Sequence, residues 1–257
     1  MLGKIKKLLA GIPHATQVST YNSRILAEVV FGKNDARLRQ IQTDKTITYS
    51  EFQALALIAL GRTGKSVKVL DFGGGGGNHF NVVENLFPEF IESWTILETE
   101  EMVKVASKET KNPILSFVDN YSVVNKSVIP YDVILCSSSL QYTEDPVGTL
   151  NFLISQGSKV LIITRTPMTE RPEYIVGVQV SKLSSNGPGK LPKNFEDTVL
   201  SYPIKIIPKA EIIKLIESRY SIRMTINEGE TNFDNVGRFP CFTFYCTLNE
   251  AGAGGNR

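Results

Sequence analysis

The chain has 257 residues, of which 42% are hydrophobic and 21% are charged, and its formal net charge is +2. This length fits one large α/β domain with an accessory segment, and the charge is too small to indicate a nucleic-acid partner. No apolar run of about 18 residues occurs, so we expect no transmembrane helix. The three cysteines and two histidines lack a metal-ligand spacing, which argues against a disulfide framework or a metal site and favours a cytoplasmic protein.

Residues 1–65 are predicted to form an N-terminal helical segment without a strand of the main sheet. Lysines alternate with leucine and isoleucine over residues 1–11, which indicates an amphipathic helix. Such a helix packs on the domain or contacts a membrane surface or a partner. Residues 17–40 are compatible with a helix that residues 32–35 interrupt.

A further helix is predicted over residues 50–60, which are apolar nearly all round and are therefore expected to be buried. Ser50 and Gln53 form its expected capping box, and Gly61 stands where a C-terminal cap glycine belongs. The residues that follow resemble the end of a phosphate-binding P-loop. That motif needs a glycine where the chain has Ala59, so we reject a nucleoside triphosphate site.

From residue 66 onward, strands and helices alternate, which predicts a parallel sheet covered on both faces. The predicted strands span 67–72, 91–97, 114–118, 133–136 and 160–164. Residues 167–207 contain no convincing helix and are expected to be a long loop. A helix that opens at Pro208 and two strands, 221–226 and 242–248, close the domain, and 251–257 are expected to be a disordered tail.

The most informative stretch is the run of glycines at 73–77, which joins the first strand to a helix. Glycine lets a backbone approach a ligand closely, and a helix N-terminus adds N–H groups with partial positive charge. A nucleotide-like cofactor is the natural ligand. The dinucleotide fingerprint G-x-G-x-x-G fails here, because its third glycine is missing in either register. A pattern that does fit is an acidic residue followed by G-x-G-x-G, with Asp71, Gly73, Gly75 and Gly77.

That pattern resembles motif I of the class I S-adenosylmethionine-dependent methyltransferases. The resemblance covers residues 66–166 and, loosely, the last two strands. Segments 71–74, 94–99, 139–142 and 165–167 are similar to a bacterial methyltransferase family associated with surface polysaccharide or secondary-metabolite biosynthesis. The resemblance implies a Rossmann-like α/β fold with a seven-stranded, mostly parallel sheet, one antiparallel strand and helices on both faces. It also implies S-adenosylmethionine as the cofactor.

Cofactor-binding residues are implied at the carboxyl ends of successive strands, where open α/β sheets bind ligands. Glu98 is expected to accept hydrogen bonds from both ribose hydroxyls, or else it is only a carboxylate at a helix start. Asp119 is expected to contact the adenine amino group, or else it belongs to an ordinary turn. Ser137 is expected beside the cofactor and the substrate, with Asp71 and the glycines completing the site.

Three further residues are candidates for catalysis at the same edge of the sheet. His79 is either a general base or an exposed polar residue in the first turn of a helix. Tyr142 orients the acceptor or packs in the core. Arg165 holds a carboxylate or phosphate of the substrate, or pairs with an acid such as Glu170.

The sequence thus predicts a helical cap (1–65) and an S-adenosylmethionine-binding domain (66–250) with a substrate-side insertion (167–207). The expected function is O- or N-methylation of a small-molecule or saccharide acceptor by in-line transfer. A catalytically inactive cofactor-binding scaffold or subunit is the alternative, and the missing third glycine disfavours a nicotinamide-dependent oxidoreductase. We expect no metal, nucleic-acid partner or integral membrane segment. Neither the acceptor nor the oligomeric state is indicated.

Overall fold

A computed structural model describes residues 22–62, 64–125, 130–233 and 236–249. The predicted amphipathic helix at 1–11 and the tail at 251–257 lie outside these residues. Seven α-helices occur in the described part: α1 (Arg24–Asp44), α2 (Tyr49–Gly61), α3 (Asn78–Leu86), α4 (Glu100–Glu109), α5 (Tyr121–Asn125), α6 (Pro146–Ser155) and α7 (Lys209–Glu217). Within the same ranges, none of these helices combines the length and apolar character needed to cross a membrane.

Nine strands complete the described elements: β1 (Val67–Phe72), β2 (Ile91–Leu97), β3 (Leu115–Val118), β4 (Val133–Ser137), β5 (Val160–Thr169), β6 (Ile175–Lys182), β7 (Val199–Pro208), β8 (Tyr220–Phe233) and β9 (Gly237–Leu248). Strands β3, β2, β1, β4 and β5 lie side by side in that order and are parallel. Strand β9 is antiparallel to β5, and β8 is antiparallel to β9. The predicted Rossmann-like fold class, with one antiparallel strand in a central seven-stranded sheet, is therefore confirmed.

Alternate residues of the central strands enter two separate hydrophobic clusters, one on each face of the sheet. Val69 of β1 packs with Ile58 of α2, whereas the next residue, Leu70, packs in the cluster that contains Leu153 of α6 and Ile216 of α7. Because both faces are buried, β1 is apolar nearly throughout, and its bounds match the predicted strand. Helices therefore cover both faces of the sheet, as predicted.

Two predictions about the N-terminal helices are wrong. Helix α1 continues through residues 32–35, since burial of its apolar face, including Val29 and Ile41, outweighs the helix-breaking tendency of one glycine, about 1 kcal/mol. The capping box of α2 is formed by Thr48 and Glu51, two residues earlier than Ser50 and Gln53. Thr48 has the extended backbone that an N-cap requires, and its hydroxyl accepts the N–H of Glu51.

The long loop expected over residues 167–207 is also wrong. Strand β5 continues to Thr169, and β6 and β7 form an antiparallel hairpin whose second strand pairs with this extension. The connection between the two strands returns to α1, where the fully buried Lys33 donates to the carbonyls of Ser184 (2.6 Å) and Asn186 (2.7 Å). The insertion is thus attached to the N-terminal helices.

Candidate functional site

The glycine turn between β1 and α3 is held against two neighbouring segments. Gly73, Gly75 and Gly77 all have positive φ, at 67°, 58° and 89°. A Cβ at Gly73 would lie 2.4 Å from the Cβ and Oγ of Ser139, and the Gly73 N–H donates to the carbonyl of Leu97. The turn therefore requires glycine for both its backbone conformation and its close packing.

Glu98 follows β2 and reaches the glycine turn. Its Oε1 accepts the N–H of Gly75 at 3.1 Å, and its Oε2 accepts the N–H of Thr99 at 2.7 Å. A carboxylate offers about four lone-pair sites, so each oxygen retains capacity for another donor. Burial raises the pKa of Glu98 above its ordinary value, although these two backbone hydrogen bonds oppose the shift.

A first cavity of about 640 Å³ opens beside this carboxylate at the carboxyl edge of the sheet. Glu98 and the exposed Asp119 both line it, together with Gly73. Its walls carry apolar and aromatic side chains, namely Phe72, Leu97, Tyr121 and Phe152. Polar groups at one edge and flat apolar walls suit a ligand that contains both hydroxyls and an aromatic ring.

Asp71 is fully buried and supports the glycine turn from below. Its Oδ2 accepts the indole N–H of Trp94 at 3.3 Å and lies 3.9 Å from Nδ1 of His79. The other oxygen, Oδ1, has no hydrogen-bond partner in the part of the chain that the structure describes. A Cβ at Gly74 would lie 2.5 Å from Oδ2, which places the carboxylate directly against the turn.

A second cavity, of about 460 Å³, lies on the other side of the turn, beneath α1. The first and second cavities share Gly73, Ser139 and Tyr142 in their linings. The second cavity is also lined by the three residues predicted to be catalytic and by the predicted cofactor residue of β4: His79, Tyr142, Arg165 and Ser137. The tertiary structure therefore brings the three catalytic candidates together.

Ser137 and Arg165 interact with each other at the ends of β4 and β5. The Ser137 Oγ lies 2.7 Å from Oγ1 of Thr164 and accepts a hydrogen bond from Nη2 of Arg165 at 3.0 Å. The alternative partner, Glu170, is paired instead with Lys209. Arg165 has a φ of 52°, a conformation that non-glycine residues adopt at a cost of about 1 to 3 kcal/mol and mostly at functional sites.

Tyr142 lies where the cavities meet. Its hydroxyl donates to Oε1 of Gln179 at 2.6 Å, and its ring packs edge-on against Tyr202 with 5.5 Å between centroids. Burial raises the pKa of the Tyr142 phenol well above its ordinary value, so the hydroxyl remains protonated at neutral pH. Tyr142 thus contributes a buried hydroxyl, bonded to Gln179, and an aromatic ring to the lining of both cavities.

Sequence reasoning missed several polar residues at this site. Asn34 of α1 is only 3% exposed, lines the second cavity against Gly76, and neither of its amide atoms has a partner among the described residues. Gln141 and Glu228 line a third cavity next to Arg165. The sequence feature that could have indicated Asn34 is the polar run at residues 33–35, which follows the apolar first turns of the helix. Nothing in the local pattern marks Glu228.

No family model matches this chain, and no curated protein sequence matches it. Among solved structures it is similar to the N-methyltransferase NodS from Bradyrhizobium japonicum WM9 in complex with S-adenosyl-L-homocysteine (12% identity, 85% of this chain, 100% of that chain, TM-score 0.48). It is also similar to magnesium protoporphyrin IX methyltransferase (ChlM) from Synechocystis PCC 6803 with bound SAM (15% identity, 91% of this chain, 100% of that chain, TM-score 0.47). A third similar structure is that of the YcgJ protein from Bacillus subtilis (13% identity, 78% of this chain, 100% of that chain, TM-score 0.49). At these identities, the similarity is one of backbone fold.

Proposed function

We propose that this protein is an S-adenosylmethionine-dependent methyltransferase that acts at an oxygen or nitrogen atom of a small-molecule or saccharide acceptor. One observation carries the proposal. Glu98 and Asp119, at the carboxyl ends of neighbouring strands, line a single cavity that adjoins the glycine turn. Ligands of open α/β sheets bind at this edge, and the two carboxylates suit the hydroxyl and amino groups of an adenosine.

Glu98 is the residue proposed to hold the ribose. Hydrogen bonds from the N–H groups of Gly75 and Thr99 fix the carboxylate in place before any ligand arrives. The free lone pairs on both oxygens match the two adjacent hydroxyls of a ribose. Asp119 is proposed to accept from the adenine amino group, with Leu97 and Phe152 packing against the ring.

Asp71 and the glycines are proposed to act together at the other end of the cofactor. Asp71 lies against the turn from below, and the positive φ values of Gly73, Gly75 and Gly77 give a turn without side chains, which lets its backbone approach a ligand closely. S-adenosylmethionine, when bound, supplies an electrophilic methyl group on a sulfonium. The protein's contribution is to align an acceptor with that group, and alignment accounts for roughly 7 to 11 kcal/mol of barrier reduction in favourable cases.

The acceptor is proposed to occupy the second cavity. Tyr142, whose hydroxyl donates to Gln179, offers its hydroxyl oxygen and its ring there, and Arg165, anchored on Ser137, presents a cation for an anionic group of the acceptor. His79 is proposed to take a proton from the nucleophile, since it lines the same cavity and Asp71 lies close to its ring. No metal is assigned a role.

The same proposal extends to the organisation of the chain. Residues 1–65 serve as a cap, residues 66–250 bind the cofactor, and the insertion at 167–207 shapes the acceptor side. Contacts of α1 with the hairpin support this division, because Lys33 joins the two segments directly above the second cavity. A cytoplasmic location and a role in polysaccharide or secondary-metabolite biosynthesis are proposed on the resemblance alone.

Calorimetric titration of the purified protein with S-adenosylmethionine and S-adenosylhomocysteine, with NAD as a control, tests the proposal. We expect dissociation constants near the micromolar range for the first two and no binding of NAD. Absence of binding to both by a protein with a folded circular-dichroism spectrum would overturn the proposal. Binding without methyl transfer from the radiolabelled cofactor to any acceptor class would leave the inactive scaffold as the function.

A further inference from the structure

Next to Arg165 lies a third cavity, of about 290 Å³, that opens off the second one. Ser138, Tyr142, Arg165 and Gln179 line both. Its volume is just below the usual range for small-molecule sites, about 300 to 1,000 Å³. A cavity of this size beside the proposed acceptor site suits a small acceptor or the polar end of a larger one.

Two β-bulges aim opposite charges at this cavity. Between Ile163 and Thr166, strand β5 has one residue more than the facing segment of β9, and Arg165 lies in that irregularity. On the other side of β9, strand β8 has one extra residue between Asn227 and Glu230, and Glu228 lies there. Bulges redirect side chains and are frequent beside active sites.

The Glu228 carboxylate is held by groups from two other strands. Its Oε1 accepts the backbone N–H of Arg165 at 3.0 Å and a short hydrogen bond from the hydroxyl of Thr243. Thr243 in turn accepts from Nε2 of Gln53 in α2 at 3.3 Å. No hydrogen bond to Oε2 of Glu228 comes from the described residues, and within those residues the carboxylate forms no ion pair with the Arg165 guanidinium.

Two buried polar atoms at the same place are unsatisfied in the described part of the chain. They are the Nε donor of Arg165 and the Oε1 acceptor of Gln141. Unmade hydrogen bonds of buried groups cost about 1 to 3 kcal/mol each, so a ligand that completes them gains affinity. The complementary ligand has an anionic acceptor for the guanidinium and several donors for Gln141 and Glu228.

We propose that the third cavity recognises the acceptor as a small zwitterion, with a carboxylate against Arg165 and a protonated amine against Glu228. An ammonium group supplies three donors, enough for Oε1 of Gln141 and Oε2 of Glu228 together. The neighbouring opposite charges disfavour ligands that carry only one charge. The carboxylate of a simple acid would be repelled by Glu228, and the ammonium of a simple amine would be repelled by Arg165. This assignment of substrate class rests on the proposed methyltransferase function.

The experiment uses the full chain saturated with S-adenosylhomocysteine. Common L-α-amino acids are titrated by calorimetry, each beside its deaminated acid and its decarboxylated amine. We expect at least one amino acid to bind, with both of its analogues weaker by about tenfold or more. Arg165→Gln and Glu228→Gln should each weaken that amino acid by about tenfold or more without changing the affinity for S-adenosylhomocysteine.

Arg223→Gln and Glu230→Gln are the matched controls, because both parent side chains are exposed on β8 and line none of the three cavities. They should leave amino-acid binding unchanged. Absence of binding by every amino acid, or equal binding of the acid analogues, would overturn the zwitterion assignment. A lower melting temperature in Arg165→Gln and Glu228→Gln without loss of binding would also overturn it, by showing a structural role. Failure of S-adenosylhomocysteine to bind would instead count against the methyltransferase function. The zwitterion assignment would then be tested by titrating the amino acids into the protein without cofactor.

Discussion

Arg37 of α1 and Glu51 of α2 form an ion pair inside the protein, with 2.6 Å between Nη2 and Oε2 and side chains only 6% and 2% exposed. Glu51 also accepts hydrogen bonds from the N–H of Thr48 (2.7 Å) and from Nδ2 of Asn78 (3.0 Å). Asn78 is the first residue of α3, directly after the glycine turn. One carboxylate therefore joins the two N-terminal helices to the turn.

Acid should weaken the fold through Glu51. Burial raises the pKa of Glu51, but hydrogen bonds from Arg37, Thr48 and Asn78 outweigh it and bring the pKa from 4.5 to about 2. Since the folded pKa lies below the unfolded one, the stabilisation is complete above about pH 4.5 and is lost as the pH falls towards 2, a change of about 3 kcal/mol. Urea unfolding at several acidic pH values should show a smaller pH slope in Glu51→Gln than in the wild type, because only the slope from other carboxylates with lowered pKa remains in the variant. Glu28→Gln, at a surface ion pair, should retain the slope, and equal slopes in wild type and Glu51→Gln would contradict the assignment.

Substitution of the buried Arg37 should destabilise the protein more than substitution of a surface arginine. Arg37→Met leaves the Glu51 carboxylate buried without its counter-charge, and we expect a loss of about 3 to 5 kcal/mol in the free energy of unfolding. Arg24→Met removes an exposed pair with Glu28 in the same helix and should cost about 1 kcal/mol or less. Similar losses for the two variants in denaturant titrations would show that the buried pair has no special role.

Glu98→Ala should weaken binding of S-adenosylmethionine by about 1 to 3 kcal/mol, because two buried ribose hydroxyls would lose their acceptor. Calorimetric titration measures the change directly. Glu100→Ala is the matched control, since Glu100 begins the next helix and pairs with Lys104 at the surface. An unchanged affinity in Glu98→Ala would remove this residue from the cofactor site.

Gly73→Ala should destabilise the protein and weaken S-adenosylhomocysteine binding together. An alanine with positive φ costs about 1 to 2 kcal/mol by itself, and here the new Cβ also meets Ser139. Gly229→Ala is the control, because Gly229 has a φ of 85° but nothing lies within 4 Å of its Cβ position. The excess cost of Gly73→Ala should diminish in a Gly73→Ala/Ser139→Gly double variant. Equal losses for Gly73→Ala and Gly229→Ala in thermal unfolding would exclude the steric contribution.

The local sequence was sufficient for the elements whose signals are short-range. Strands β1 and β2 have the predicted bounds. β1 is a mostly apolar, almost completely buried run that ends at the glycine turn, and β2 has buried apolar residues interspersed with more exposed polar ones. Helix α6 likewise has a local start signal, since Pro146 is its first residue and Asp145 accepts the N–H of Gly148. The order of acidic residue, glycines and strand-end carboxylates likewise predicted the edge of the sheet at which the cavities lie.

Only the tertiary structure decided which polar groups meet at that edge. Pairing of β6 with β7 depends on partners far apart in sequence, and Pro203 inside β7 weakens the local strand signal. The meeting of Arg165 with Glu228 depends on two bulges whose register is set by β9, which no local pattern records. Side-chain periodicity tells which residues face the core, whereas convergence at a site depends on strand register and on backbone irregularities that arise when the whole sheet is assembled.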